Sequence, residues 1–105
     1  MPSNQPPGQQ AFGDIAPKLA QLSDSVLFDD VWRRPQLAPR ERSLITVAAL
    51  VALNRLEQLP FHLQLAQRNG VSREQLAELI THLAFYAGWP AAASAVARLR
   101  ELEQE

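Results

Sequence analysis

Apolar side chains recur at three- and four-residue spacing along most of this chain, and no stretch alternates apolar and polar between turn signals as a strand would. From Asp14 onward, Ile15, Leu19, Leu22, Val26 and Leu27 fall on one helical stripe. This predicts a first helix capped by Asp14, with Pro17 tolerated in its first turn and a weak point at Ser23-Asp24, ending before Pro35. Residues Arg33 to Ala38 read as a connector, because Pro35 has no donor and biases Arg34 toward an extended backbone. A second helix starts at Pro39 and runs to Leu53 or Asn54; between Leu44 and Leu53 only Thr46 is not apolar. A helix so apolar all round needs cover all round, as in the centre of a bundle or beneath another subunit.

A third helix is bracketed by Pro60 and Gly70, one favouring a helix start and the other a helix end. Ser72 with Gln75 three residues on forms a capping-box pattern for a fourth, whose inner stripe is Leu76, Leu79, Ile80 and Leu83 and whose stop is Gly88. Trp89-Pro90 turns the chain into a last helix rich in alanine, where small side chains permit close packing. The expected architecture is an all-α, single-domain bundle of five or six helices over residues 11–105. Residues 1–10, rich in Pro, Gly and Gln, are expected to form a flexible tail, since they bury too little to offset ordering entropy.

Composition narrows the chemistry. The 105 residues carry ten basic and eleven acidic side chains, a net charge of −1, which speaks against nucleic acid as a partner. The longest apolar run, Val47 to Leu53, is far short of the roughly 20 residues that cross a bilayer, and the N-terminus lacks the pattern of a secretory signal, so a cytoplasmic location without membrane contact is expected. With no cysteine, thiolate metal sites, thiol nucleophiles and dithiol redox chemistry are excluded. No phosphate loop, Rossmann turn or nucleophile elbow occurs.

Nine of the ten basic residues are arginine, and Arg33, Arg34, Arg40 and Arg42 fall within ten positions that contain one acid, Glu41. Such a cluster reads either as a carboxylate clamp or as a solvated charged turn. His62 and His82 each sit in an apolar stretch, as proton-transfer groups or as core histidines bonded to backbone carbonyls. Twenty residues apart, they form no metal-ligand spacing, and no metal is expected. Glu41 and Glu57 flank the second helix and would act as acid or base only if enclosed. Phe85, Tyr86 and Trp89 read as packing or as a ligand-stacking wall.

Taken in order, Leu27-Phe28-Asp29-Asp30-Val31-Trp32-Arg33-Arg34-Pro35, Arg40-Glu41-Arg42-Ser43-Leu44-Ile45-Thr46, His62, Gly70-Val71-Ser72-Arg73-Glu74 and the run from His82 to Ala92 resemble the γ-carboxymuconolactone decarboxylase family over about residues 12 to 100. The order of these blocks carries the likeness. Related peroxidases of the alkylhydroperoxidase D type use a CxxC pair that Arg55 to Phe61 does not contain. The resemblance implies a helical bundle assembled into a ring-like trimer or hexamer, with sites near subunit contacts. It also implies a decarboxylase without a cofactor that converts 4-carboxymuconolactone, a small unsaturated lactone with two carboxylates, to 3-oxoadipate enol-lactone in aromatic catabolism. In that reading Arg40 and Arg42 clamp a carboxylate or enolate, with Arg33 and Arg34 as second choice. His62 is the general acid, His82 and Tyr86 orient or polarise the substrate beside Trp89, and Glu41 or Glu57 sets a histidine's protonation. The alternatives are a family enzyme acting on another small keto acid or lactone, and a non-enzymatic oligomeric domain.

Overall fold

The computed structural model describes residues 5–102 and is all-α, with six α-helices and no strand among those residues. It divides into two compact units, residues 1–38 and 39–105, at the end of the expected connector.

In the first unit, α1 spans Pro7–Phe12 and α2 spans Pro17–Leu22; a π-helical turn, Ser23–Phe28, and a 3-10 turn, Val31–Arg33, follow. The tail expected over residues 1–10 lies outside the described residues at 1–4, whereas from Pro7 the chain is helical. The Asp24 carboxylate holds that start in place, accepting from the Gly8 N–H at 2.7 Å and the Gln9 N–H at 3.0 Å. Gly8 is required there, since a Cβ would stand 2.7 Å from both the Ala20 carbonyl and the Ser23 Cβ. Asp14 does not cap α2 as expected. The N-cap is Ala16, at φ −134° and ψ 73°, because Pro17 keeps the residue before it out of the helical region and so fixes the first helical position itself. The break near Ser23 is present as the change from α- to π-helix. Only Gly8 and Ala20 are buried among the described residues of this unit, so the stripe from Ile15 to Leu27 does not form a core of its own.

The second unit holds α3 (Pro39–Ala52), α4 (Leu59–Arg68), α5 (Arg73–Ala87) and α6 (Trp89–Leu102). Its core follows the helical repeat: Val47 and Val51 from α3, Leu59, Leu63 and Ala66 from α4, Leu76, Ile80 and Ala84 from α5, and Ala92, Ala95 and Leu99 from α6. Helix ends obey local chemistry. Asn54, at φ 58°, ends α3 with the Arg55 N–H donating to the Leu50 carbonyl and the Asn54 N–H to the Val51 carbonyl, a Schellman pair. Gly70, at φ 96°, ends α4 in the same way through Val71 to Ala66 and Gly70 to Gln67. The capping box of α5 is formed, with Ser72 Oγ accepting from the Gln75 N–H and Gln75 Oε1 accepting from the Ser72 N–H.

One link sets the direction of the helices. Asn69 Nδ2 donates at 3.0 Å to Ser43 Oγ, which is fully buried in the first turns of α3. The end of α4 therefore meets the start of α3, and α5, beginning a few residues later, sets out from that same end. Within the chain the cover of α3 is partial: Ser43, Val47 and Val51 are buried, whereas Ile45 is 56% exposed and Leu53, just past the helix end, 64%. No helix among the described residues is long and apolar enough to cross a membrane.

Candidate functional site

Because α3 and α5 start at the same end of the second unit, matching faces of the two helices line one cavity. Arg40, Leu44 and Ala48, at i, i+4 and i+8, come from α3; Gln75, Glu78, Leu79, His82 and Leu83 come from α5. The cavity is open and measures about 400 Å³, within the range of small-molecule sites. Four aliphatic side chains form an apolar surface, with a cation, an anion, an amide and an imidazole set into it.

Two of the expected residues meet here, Arg40 and His82. Arg40 Nη1 lies 3.5 Å from Glu41 Oε2, a partly exposed pair between neighbouring residues that a ligand carboxylate can displace. Arg42, two positions on, turns to another face; it is half-buried, its Nε is out of contact with solvent, and its carbonyl accepts from Thr46 Oγ1. Tyr86, one turn beyond His82, is 77% exposed and stacks on the imidazole with ring centroids 5.0 Å apart; it is not among the residues lining the cavity. Trp89 belongs elsewhere. It packs edge-on against Phe85 and lines a second cavity of about 210 Å³ with Ile80, Thr81, Ala84, Ala92, Ala93 and Val96, where no charged group can orient an anion.

His62 is not among the residues lining the α3–α5 cavity. It is half-buried on α4, edge-on to Phe61 at 5.0 Å, and burial pushes its pKa below the usual histidine value by disfavouring the charged ring. Glu57 is exposed in the connector between α3 and α4. Arg33 and Arg34 are exposed residues of the first unit, Arg33 lying 3.8 Å from Asp29. Among the described residues no group of three or more histidine or carboxylate side chains could hold a metal ion.

Gln75 and Glu78 are the lining residues that sequence reasoning missed. The signal was present, since positions 75, 78 and 82 follow the helical repeat and share a face with His82. The Ser72–Gln75 capping pattern by itself accounts for Gln75 without a cavity.

A bundle that sets an arginine, a histidine, a glutamine and a glutamate into an aliphatic surface has a cation to hold a small organic anion and an imidazole to move a proton to or from it. Residues 17–101 match the carboxymuconolactone decarboxylase family, and the chain belongs to that family. It is 44% identical over 73 residues to a 4-carboxymuconolactone decarboxylase of Acinetobacter baylyi, covering 70% of this chain and 54% of that protein. Over 66 residues it is 33% identical to a nitrosuccinic acid decarboxylase of Metarhizium robertsii, covering 63% and 46% respectively. The chain thus spans about half the length of these curated relatives.

Proposed function

We propose that this chain is a carboxy-lyase that decarboxylates 4-carboxymuconolactone to 3-oxoadipate enol-lactone, with its site in the cavity between α3 and α5. The observation that carries the reading is the placement of Arg40 and His82 on one apolar surface. Arg40 binds the retained carboxylate as a charge-assisted, two-pronged contact. The ring lies over the aliphatic side chains of Leu44, Ala48, Leu79 and Leu83, and the bond to the leaving carboxylate breaks to release carbon dioxide. The electron pair of that bond moves through the ring double bond to the lactone carbonyl, giving a dienolate. His82 then delivers a proton to ring carbon and regains it from solvent, so that one proton replaces one carbon dioxide. The sink for the electrons is the substrate's own carbonyl, and the proposed reaction uses no cofactor.

His82 takes the acid's role ahead of His62 because it lines the cavity and because burial favours the neutral, non-donating form of the His62 ring. The relative that acts on nitrosuccinic acid supports a second, broader reading, in which the substrate is another small acid whose carbanion is delocalised onto oxygen. We further propose that copies of the chain assemble as a trimer or hexamer. The exposed apolar side chains Ile45 on α3 and Leu53 just past its end, and Phe85, Tyr86 and Trp89 at 65–77% exposure, support burial against another copy.

The test is ultraviolet-monitored turnover of 4-carboxymuconolactone, generated in situ, by the purified protein with and without a chelator. Turnover unaffected by the chelator is expected. His82→Asn should lower kcat by roughly 100-fold or more if the imidazole delivers the proton, and His62→Asn by far less. A folded protein with no turnover refutes the assignment of this substrate.

A further inference from the structure

We infer that Gln75 is a substrate-binding residue, donating its side-chain N–H groups to the same carboxylate that Arg40 holds. The inference rests on reading the α3–α5 cavity as the substrate site. Its physical basis is the division of labour within one amide. Gln75 Oε1 accepts from the Ser72 N–H at 2.9 Å, and since a backbone N–H can pair only with the oxygen of the amide, the orientation of the group is settled by its partner. What the side chain has left to present to the cavity it lines is Nε2, a pure donor with two hydrogens. No hydrogen bond among the described residues uses that nitrogen for another purpose.

Arg40 lines the same cavity. The Asn69–Ser43 hydrogen bond brings the first turns of α3 to the segment that leads into α5, so Arg40 and Gln75 occupy the same end of the cavity. Seven residues separate Gln75 from His82, a rise of about 10 Å along α5, and the aliphatic side chains Leu79 and Leu83 occupy the same helix face. Glu78, three residues after Gln75 and four before His82, repels a carboxylate placed midway, while the Arg40 cation marks the Gln75 end for the anion. The cavity thereby acquires a direction, with the anchored carboxylate at one end and proton delivery at the other. The capping box keeps the anchor rigid, so little side-chain freedom is lost when the anion binds.

The test separates this role from the capping role. Gln75→Glu keeps the box, which accepts glutamate as readily as glutamine, but replaces the donor with a carboxylate oxygen. Gln75→Ala removes both functions without adding charge, and Ser72→Ala weakens the helix start while leaving the Gln75 amide in place. Binding is read by calorimetric titration with succinate as the probe dicarboxylate, and turnover and thermal melts are measured in parallel. Gln75→Glu and Gln75→Ala are expected to raise the Kd for succinate and the KM roughly tenfold or more, the usual weight of a hydrogen bond to a charged group, with kcat changed less than threefold. Tm should fall for Gln75→Ala and Ser72→Ala but not for Gln75→Glu, and Ser72→Ala should bind succinate as the wild type does. Wild-type affinity in both Gln75 variants overturns the inference, and so does an equal loss of affinity in Ser72→Ala. A wild-type protein that binds succinate but turns nothing over leaves Gln75 in its role and removes the decarboxylase reading, whereas one that does not bind succinate removes the cavity assignment and this inference together.

Discussion

Arg40 offers the sharpest test of how the cavity holds an acid, because its present partner is known and weak. Its Nη1 lies 3.5 Å from Glu41 Oε2, with the two side chains 36% and 47% exposed, so the pair contributes no more than about 0–1 kcal/mol. A substrate carboxylate that displaces Glu41 gains two charge-assisted hydrogen bonds from the guanidinium fork, about 1.5 kcal/mol each at the low end of the range that suits a partly exposed donor. Subtracting the lost pair leaves about 2–3 kcal/mol, so Arg40→Met should raise KM about 30- to 160-fold. Arg40→Lys keeps the charge and one bond and should raise KM about tenfold. Glu41→Gln releases the guanidinium from its competitor and should lower KM about twofold. Initial rates over a range of substrate and salt concentrations decide the matter, the wild-type KM rising with ionic strength and that of Arg40→Met changing less. A KM for Arg40→Met within twofold of the wild type would refute the clamp, and equal values for the Lys and Met variants would refute its two-pronged geometry.

Gly70→Ala meets open space but must adopt φ 96°, so a loss of about 1–2 kcal/mol and a fall in Tm of about 5–10 °C are expected in thermal melts, and an unchanged Tm would show that the turn relaxes. Asn69→Ala strips the donor from a hydroxyl that is fully buried and should cost about 1–3 kcal/mol in chemical denaturation. Ser43→Ala leaves the half-buried Asn69 amide within reach of water and should cost less, so the reverse order would contradict the burial argument. His62 makes stability depend on pH. Its native pKa lies below the unfolded value of 6.5, so the unfolded chain takes up its proton first as pH falls. The stabilising difference is complete above that value and is lost as pH drops toward the native pKa. Denaturation between pH 8 and 5 should show this loss in the wild type and its absence in His62→Gln.

Where structure follows from neighbours in the sequence, the sequence was readable. Pro39, the Ser72–Gln75 box, Gly70 and Gly88 each act within one helical turn, and they mark the ends of α3, α4 and α5 to within a residue or two. The first unit was less readable because its determinants are distant or compete. The start of α1 depends on Asp24, sixteen residues away, and Asp14 lost the start of α2 to the stronger constraint of Pro17 on Ala16. The site shows the same division. Arg40 and His82 were visible by residue type, but the face of α3 that α5 meets depends on long-range packing. Nothing within a helical turn of Arg42 or His62 reports that the α3–α5 cavity is lined without them.

The geometry of the cavity depends on the rotation of α5 about its own axis, and that rotation is fixed by the core. Leu76, Ile80 and Ala84 form the stripe buried against the other helices, while Gln75, Leu79 and Leu83, each one residue earlier, line the cavity. One residue step is about 100° around a helix, so turning α5 by one position would move Leu79 and Leu83 from the edge of the core, where they are partly buried, and displace the side chains that now hold the bundle together. The stripe of large and small apolar residues therefore acts on the site as directly as the polar groups do. Ile80→Ala, which opens the middle of that stripe, is expected to cost about 2–5 kcal/mol in stability. Its further effect should appear in kcat as well as in Tm, because His82 lies two residues away on the same rigid element. If kcat at a temperature where the variant is fully folded equals that of the wild type, the bundle holds α5 in register through its other contacts, and the core stripe has no special hold on the site.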